Sequence, residues 1–151
     1  MIDPLEKIKA IKRSSVFTNL LIEDISRFSD IIQEVEYPAG HVVFREGDPG
    51  DKMYLIVSGE VTIRKDITDG VDMQVTIGDG ECFGEMAILD GMPRSATVTV
   101  MKPGVFLSIG RDEFIDLLTV YPEISLQVIS ILSGRLREAH TNIAKTIREQ
   151  L

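Results

Sequence analysis

Residues 82–98 read C-F-G-E-M-A-I-L-D-G-M-P-R-S-A-T-V, and this stretch decides how the rest of the chain is read. Phe83-Gly84 closes a strand-like run. Met86, Ala87, Ile88 and Leu89 have helical chemistry, and Asp90-Gly91 stops them. A helix of one or two turns is therefore predicted to begin at Glu85 or Met86. Its first N–H groups lack intrahelical partners and point outward, where the local dipole favours an anion. Gly84 removes a side chain where a ligand has to approach the backbone. Arg94 can fork onto a phosphate with two N–H groups. Glu85 would repel a bare phosphate, but it suits a ribose hydroxyl as an acceptor. The reading is a pocket for a small anion that also carries a hydroxylated sugar.

The surrounding charges bear on Arg94. Between Lys65 and Lys102 the acids are Asp66, Asp69, Asp72, Asp79, Glu81, Glu85 and Asp90, and Arg94 is the only base. A lone Arg among so many acids has partners to hand, so a structural salt bridge stands beside the phosphate reading.

Taken whole, the stretch resembles the phosphate-binding cassette of cyclic nucleotide-binding domains. That family includes bacterial catabolite activators, regulatory subunits of cyclic-nucleotide-dependent kinases and cyclic-nucleotide-gated channels. The matching residues are Phe83-Gly84-Glu85-Met86-Ala87 and Pro93-Arg94-Ser95-Ala96-Thr97-Val98. Gly47-Asp48, Gly50-Asp51-Lys52-Met53-Tyr54-Leu55-Ile56 and Ser58-Gly59-Glu60-Val61 look like the family's turn and strand signatures. The resemblance runs to about residue 136. It implies that Glu85 holds the ribose 2′-hydroxyl. Arg94 holds the cyclic phosphate, helped by N–H groups around Met86 and Ala87. Val75, Ser95 and Ala96 complete the candidate lining. On the C-terminal helix, alignment with the family brings Arg135, Leu136, Ala139 and His140 towards the pocket. The bacterial activator has hydroxyl residues where Ala139 and His140 fall, and Thr141 lies one step away.

The ligand implied is cAMP or cGMP, with cAMP preferred. No other cofactor, no metal and no catalysis are expected, since no nucleophile–base pair or acid pair is evident. A cupin-like metal site needs clustered His ligands, and His41 and His140 are the only histidines. The alternative function is a ligand-free domain of the same fold, acting as a protein-interaction or dimerisation module.

Composition narrows the classes. At 151 residues, a single domain spanning 1–151 is expected. It divides into N-terminal helices at 1–33, a β-roll at 34–110 holding the cassette at 82–98, and C-terminal helices at 111–151. Apolar residues make up 44%, enough for a core. A net charge of −8 argues against nucleic acid or an anionic membrane as partner. It also means that an anionic ligand is held by local geometry against the field of the whole protein. The single cysteine, Cys82, reads as a small buried apolar residue. No run approaches the roughly 20 apolar residues of a membrane span, and no signal-peptide core stands at the start, so a cytoplasmic setting is expected.

The pattern along the chain predicts an antiparallel β jelly roll, mainly β, with N-terminal helices and a long C-terminal helix. Asp3-Pro4 opens a helix over 3–14 with Leu5, Ile8 and Ile11 on one stripe. Val16, Phe17 and Leu20 anchor a loop. A second helix is predicted over 22–33, burying Ile25, Phe28, Ile31 and Ile32. Short apolar runs follow, separated by turns at Pro38-Ala39-Gly40, Glu46 to Asp51, Ser58-Gly59, Asp69-Gly70 and Lys102-Pro103-Gly104. Arg111 starts a helix with Phe114, Leu117 and Leu118 inside. A last helix runs from about 122 to the end, with Ile129, Leu132, Leu136, Ala139 and Ile143 in a heptad-like stripe that Ile147 and Leu151 continue. Its first turns are expected to pack on the barrel, and the remainder to form a homodimer seam. No DNA-binding domain follows it in this sequence. The output is therefore expected from another protein, an unidentified effector, or from further chain.

Overall fold

The computed structural model describes residues 1–68 and 71–150. Helix α1 spans Pro4–Arg13, with the Asp3 carboxylate accepting from Leu5 N as its cap, and α2 spans Ile22–Phe28. Strands β1 (Gln33–Tyr37), β2 (Val42–Phe44), β3 (Lys52–Thr68), β4 (Val71–Ile77), β5 (Cys82–Phe83) and β6 (Thr97–Gly110) pair antiparallel throughout. Helix α3 (Glu85–Asp90) follows β5, while α4 (Arg111–Val120) and α5 (Pro122–Gln150) follow β6. Strands run β1-β6-β3-β4, with β2 also on β6 and β5 also on β3. The antiparallel β-roll with helices at both ends is therefore present. Helical residues nevertheless outnumber strand residues, because α5 alone takes 29.

Strand parity builds two cores. Successive strand residues point to opposite faces. On β3, Met53 and Leu55 face the helices and pack with Ile11, Phe17, Leu20, Ile25, Phe114 and Ile124. Tyr54 and Ile56 point the other way, into the roll, with Phe83, Val98, Val100 and Phe106. Val61 also faces the roll, so an even-numbered face has become an odd-numbered one. The switch lies in the register shifts between Ile56 and Val61, where β3 is bulged against β6.

Those bulges correct the expected turns at Ser58-Gly59 and Lys102-Pro103-Gly104. Neither ends a strand; both lie inside β3 and β6. The two sites face each other: a Cβ on Gly104 would stand 1.8 Å from the Ser58 carbonyl oxygen, and Gly59 has φ +122°. Glycine lets the two bent backbones touch, and long strands turn the corner together.

The second helix also differs from expectation. It ends at Phe28, a 3₁₀ turn covers Ser29–Ile31, and Gln33 already belongs to β1. Pairing of Val35 with Phe106 in the sheet overrides the helical spacing. The tighter turn leaves Ile31 exposed while Ile25, Phe28 and Ile32 are buried. The loop anchors Val16, Phe17 and Leu20 are buried as expected. On α1, Ile11 is buried but Leu5 is 53% exposed, so the stripe is shorter than its spacing suggests. On α5, Ile124 and Val128 are buried and Ile131 and Leu132 pack against the helix-side core, while Ile129 is exposed. The predicted turn at Asp69-Gly70 and the stripe position Leu151 lie outside the described residues.

Candidate functional site

Strand β5 is only two residues long, pinned opposite Tyr54 and Leu55 of β3, and it delivers the backbone to Gly84. Gly84 has φ +83°, and a Cβ there would lie 2.9 Å from an Arg94 guanidinium nitrogen. Glycine answers both the left-handed backbone and the close approach. Helix α3 then starts at Glu85 and stops against Gly91, as the sequence predicts.

Arg94 is 5% exposed and is held mostly by backbone. Its N–H donates to the Asp48 carbonyl at 2.7 Å, and Gly47 N–H donates to the Arg94 carbonyl at 2.8 Å. Its guanidinium donates through Nη1 to Gly84 O at 2.9 Å and through Nη2 to Lys52 O at 2.7 Å. The turn before β3 is thus the frame for Arg94. Nothing in the spacing of Gly47, Gly50 and Lys52 could announce that, because the work falls to carbonyl groups every residue has. A Cβ on Gly50 would meet Ala87 Cβ at 2.4 Å and Arg94 Nε at 3.0 Å, so the turn is closely applied to the cassette.

Among the described residues Arg94 makes no ion pair, so no structural salt bridge accounts for it there. Its Nε is buried without a hydrogen-bond partner. Burial pulls the guanidinium below its ordinary pKa, while Tyr54, Asp51, Asp48 and Glu85 act in the opposite sense. An unpartnered buried donor on a cation is costly unless an acceptor reaches it. An anion supplies both charge and acceptor.

Glu85 is 7% exposed, and its carboxylate accepts from the Arg135 guanidinium of α5. The pair joins residues 50 apart in sequence and ties α5 to the cassette. Both members were candidates from sequence, but their pairing was not visible there. Cys82 is buried beside them; desolvation, with the Glu85 charge adding to it, pushes its thiol up to about 12. It is a packed, protonated thiol rather than a reactive one.

Phe83, Gly84, Glu85, Met86, Ala87, Arg94, Ser95, Ala96, Val75 and Arg135 all line one cavity of about 270 Å³. His140 does not. It is exposed on α5 and absent from the lining, as are Leu136 and Ala139. Every residue from Ser133 to Gln150 is exposed, so Arg135 is the last α5 side chain to reach the site. The cavity also includes Phe44, Ile63 and Ile77, which the sequence does not mark as site residues, and Cys82, which reads there as a small buried apolar residue. Facing positions of β3 and β4 bring Ile63 opposite Val75 and Val61 opposite Ile77. One end of the site is therefore a polar corner of Arg94, Glu85 and Arg135, and the rest is an apolar wall. His41 stacks on Tyr37 at 4.3 Å. No group of three His, Cys, Asp or Glu side chains gathers as a metal site among the described residues.

Comparison with known proteins gives four findings. A family model described as cyclic nucleotide-binding domain matches residues 34–121. A CRP-like cAMP-activated global transcriptional regulator of Mycobacterium tuberculosis is 36% identical over 138 residues, covering 91% of this chain and 62% of its own length. Among solved structures, the Thermus thermophilus catabolite activator protein superposes with TM-score 0.80 at 30% identity, over 86% of this chain and 62% of that one. A cyclic nucleotide-binding domain from Methylobacillus flagellatus gives TM-score 0.79 at 29% identity, over 95% and 83%. The chain thus spans less than two thirds of the regulator and of the Thermus activator.

Proposed function

The chain belongs to the cyclic nucleotide-binding domain family, and from that premise we propose that it is a sensor that binds a cyclic nucleotide, cAMP ahead of cGMP, and signals through α5. One observation carries this reading. Glu85 and Arg94 are the two buried charged residues among those described, and both line the same cavity. The cyclic phosphate docks on Arg94, whose charge no ion pair among the described residues offsets. The ribose hydroxyl donates to Glu85. Val75, Met86 and the neighbouring strand residues give the base an apolar wall. The site binds and does not catalyse.

The coupling runs through the Glu85–Arg135 pair. A ribose hydroxyl on Glu85 shares the carboxylate with Arg135, and the balance between them shifts α5 against the roll. The preference for cAMP rests on the cAMP-activated regulator that matches most of this chain.

The deciding experiment is calorimetric titration of denatured-and-refolded protein with cAMP and with cGMP, refolding having removed any carried nucleotide. Micromolar or tighter cAMP binding is the expected result. A folded sample that gives no saturation with either nucleotide overturns the sensor reading. The bare apolar stripe of α5 would then favour a ligand-free dimerisation module.

A further inference from the structure

Phe44 lies beneath the anion site. Its ring centroid is 3.9 Å from the guanidinium carbon of Arg94. The residue stands on β2 opposite Val98, and its ring packs against Phe83 at 6.0 Å and Tyr54 at 6.3 Å between centroids. Phe83 and Tyr54 in turn stack at 5.1 Å with 13° between their planes. The platform is therefore fixed in the roll core and is not a loose surface contact.

The geometry of Arg94 calls for such a platform. Its bonds to Gly84 O and Lys52 O engage Nη1 and Nη2 and leave Nε–H without a partner. Hydrogen bonds in the plane of a guanidinium resist sliding more than they resist tilting. A ring against one face resists the tilt. The aromatic face is also negative, so it compensates a cation removed from water. Arg94 makes no ion pair among the described residues, and burial disfavours its charged form. Apart from the two carbonyls, the Phe44 ring is the compensation in contact with it.

We propose that Phe44 is a positioning residue for the anion site, its ring face holding the Arg94 guanidinium in one plane with Nε–H uncommitted. This rests on the reading of Arg94 as the phosphate holder. Leucine at this position keeps apolar bulk and loses the ring face; tyrosine keeps both. Phe44 acts through Arg94, so its removal changes the cation's environment even before ligand is added.

The test combines cAMP titration of the wild type, Phe44→Leu and Phe44→Tyr with the Nε–H NMR signal of Arg94 in each ligand-free chain. That signal is assigned by its loss in Arg94→Lys. Phe44→Leu is expected to weaken cAMP binding roughly three- to thirty-fold. Phe44→Tyr should stay within about two-fold of the wild type. The ring current should displace the Arg94 signal in the wild type and in Phe44→Tyr, and the displacement should vanish in Phe44→Leu. Wild-type affinity in Phe44→Leu, equal weakening in both variants, or an unmoved Arg94 signal would each overturn the assignment. A wild type that binds neither nucleotide defeats the sensor reading instead, and the Arg94 signal then decides the role of Phe44 alone.

Discussion

Arg94 gives two N–H groups to the carbonyls of Gly84 and Lys52, so removing it has two separable consequences. Without ligand, Arg94→Ala leaves both carbonyls short of a donor and empties space under Gly50. A loss of about 1–3 kcal/mol of folding stability is expected from denaturant melts. With ligand, the charge-assisted bonds to the phosphate disappear. Titration of the folded variant should show affinity at least about ten-fold weaker, or ~1.4 kcal/mol. Unchanged affinity in a folded Arg94→Ala would take the phosphate away from this residue. Legibility at this scale was uneven. The cassette residues stand in one run, and that run is what reveals them. Phe44, Ile63 and Ile77 reach the same cavity from strands whose alternation looks like any other half-buried strand. The Glu85–Arg135 pair spans two elements, and periodicity carries no information about which distant charges meet.

Elements were legible where their signals are local and obscured where pairing decides. Pro4 after Asp3, Gly91 after α3 and the break between α4 and Pro122 mark real boundaries. The glycines at 59 and 104 carry the composition of turns, yet each sits where the other strand's backbone comes close, and only the pairing of β3 with β6 reveals a shared bend. Helix α5 shows the reverse case. Its stripe is plain in sequence, but the described body covers it no further than the neighbourhood of Arg135. Ile129, Leu136, Ile143 and Ile147 remain 54–58% exposed along it. An amphipathic helix standing clear of its own core gains stability from a second helix laid on that stripe. The chain is therefore expected to sediment as a dimer, and the double variant Leu136→Asp with Ile143→Asp as a folded monomer. A monomeric wild type, or a double variant that stays dimeric, would move the seam elsewhere.

At the scale of the molecule, the buried charge among the described residues is concentrated at one site, and Tyr54 and Cys82 are buried as neutral groups. Those neutral groups set an alkaline limit to stability. Burial pushes the Tyr54 hydroxyl from 10.0 up to about 12, and pushes the Cys82 thiol from 9.0 to about 12. Each is a raised folded-state pKa, so the stabilisation is full below the unfolded value and is lost as pH climbs through the folded one. Between about pH 9 and 12 the unfolded chain releases these protons and the folded chain keeps them. Each group should then lower the unfolding free energy by roughly 1.4 kcal/mol per pH unit, Cys82 from about pH 9 and Tyr54 from about pH 10. Denaturant midpoints measured from pH 8 to pH 11 should fall with a slope that steepens near pH 10. In Cys82→Ala the fall between pH 9 and pH 10 should shrink while the later fall through Tyr54 persists. The alanine opens a small cavity and lowers stability at every pH, so the diagnostic is the slope and not the level. An unaltered slope in Cys82→Ala would mean that the thiol ionises in the folded chain as it does in the unfolded one. The wall shared by the cavity and the helix-side core would then be wetter than the packing around Cys82 implies.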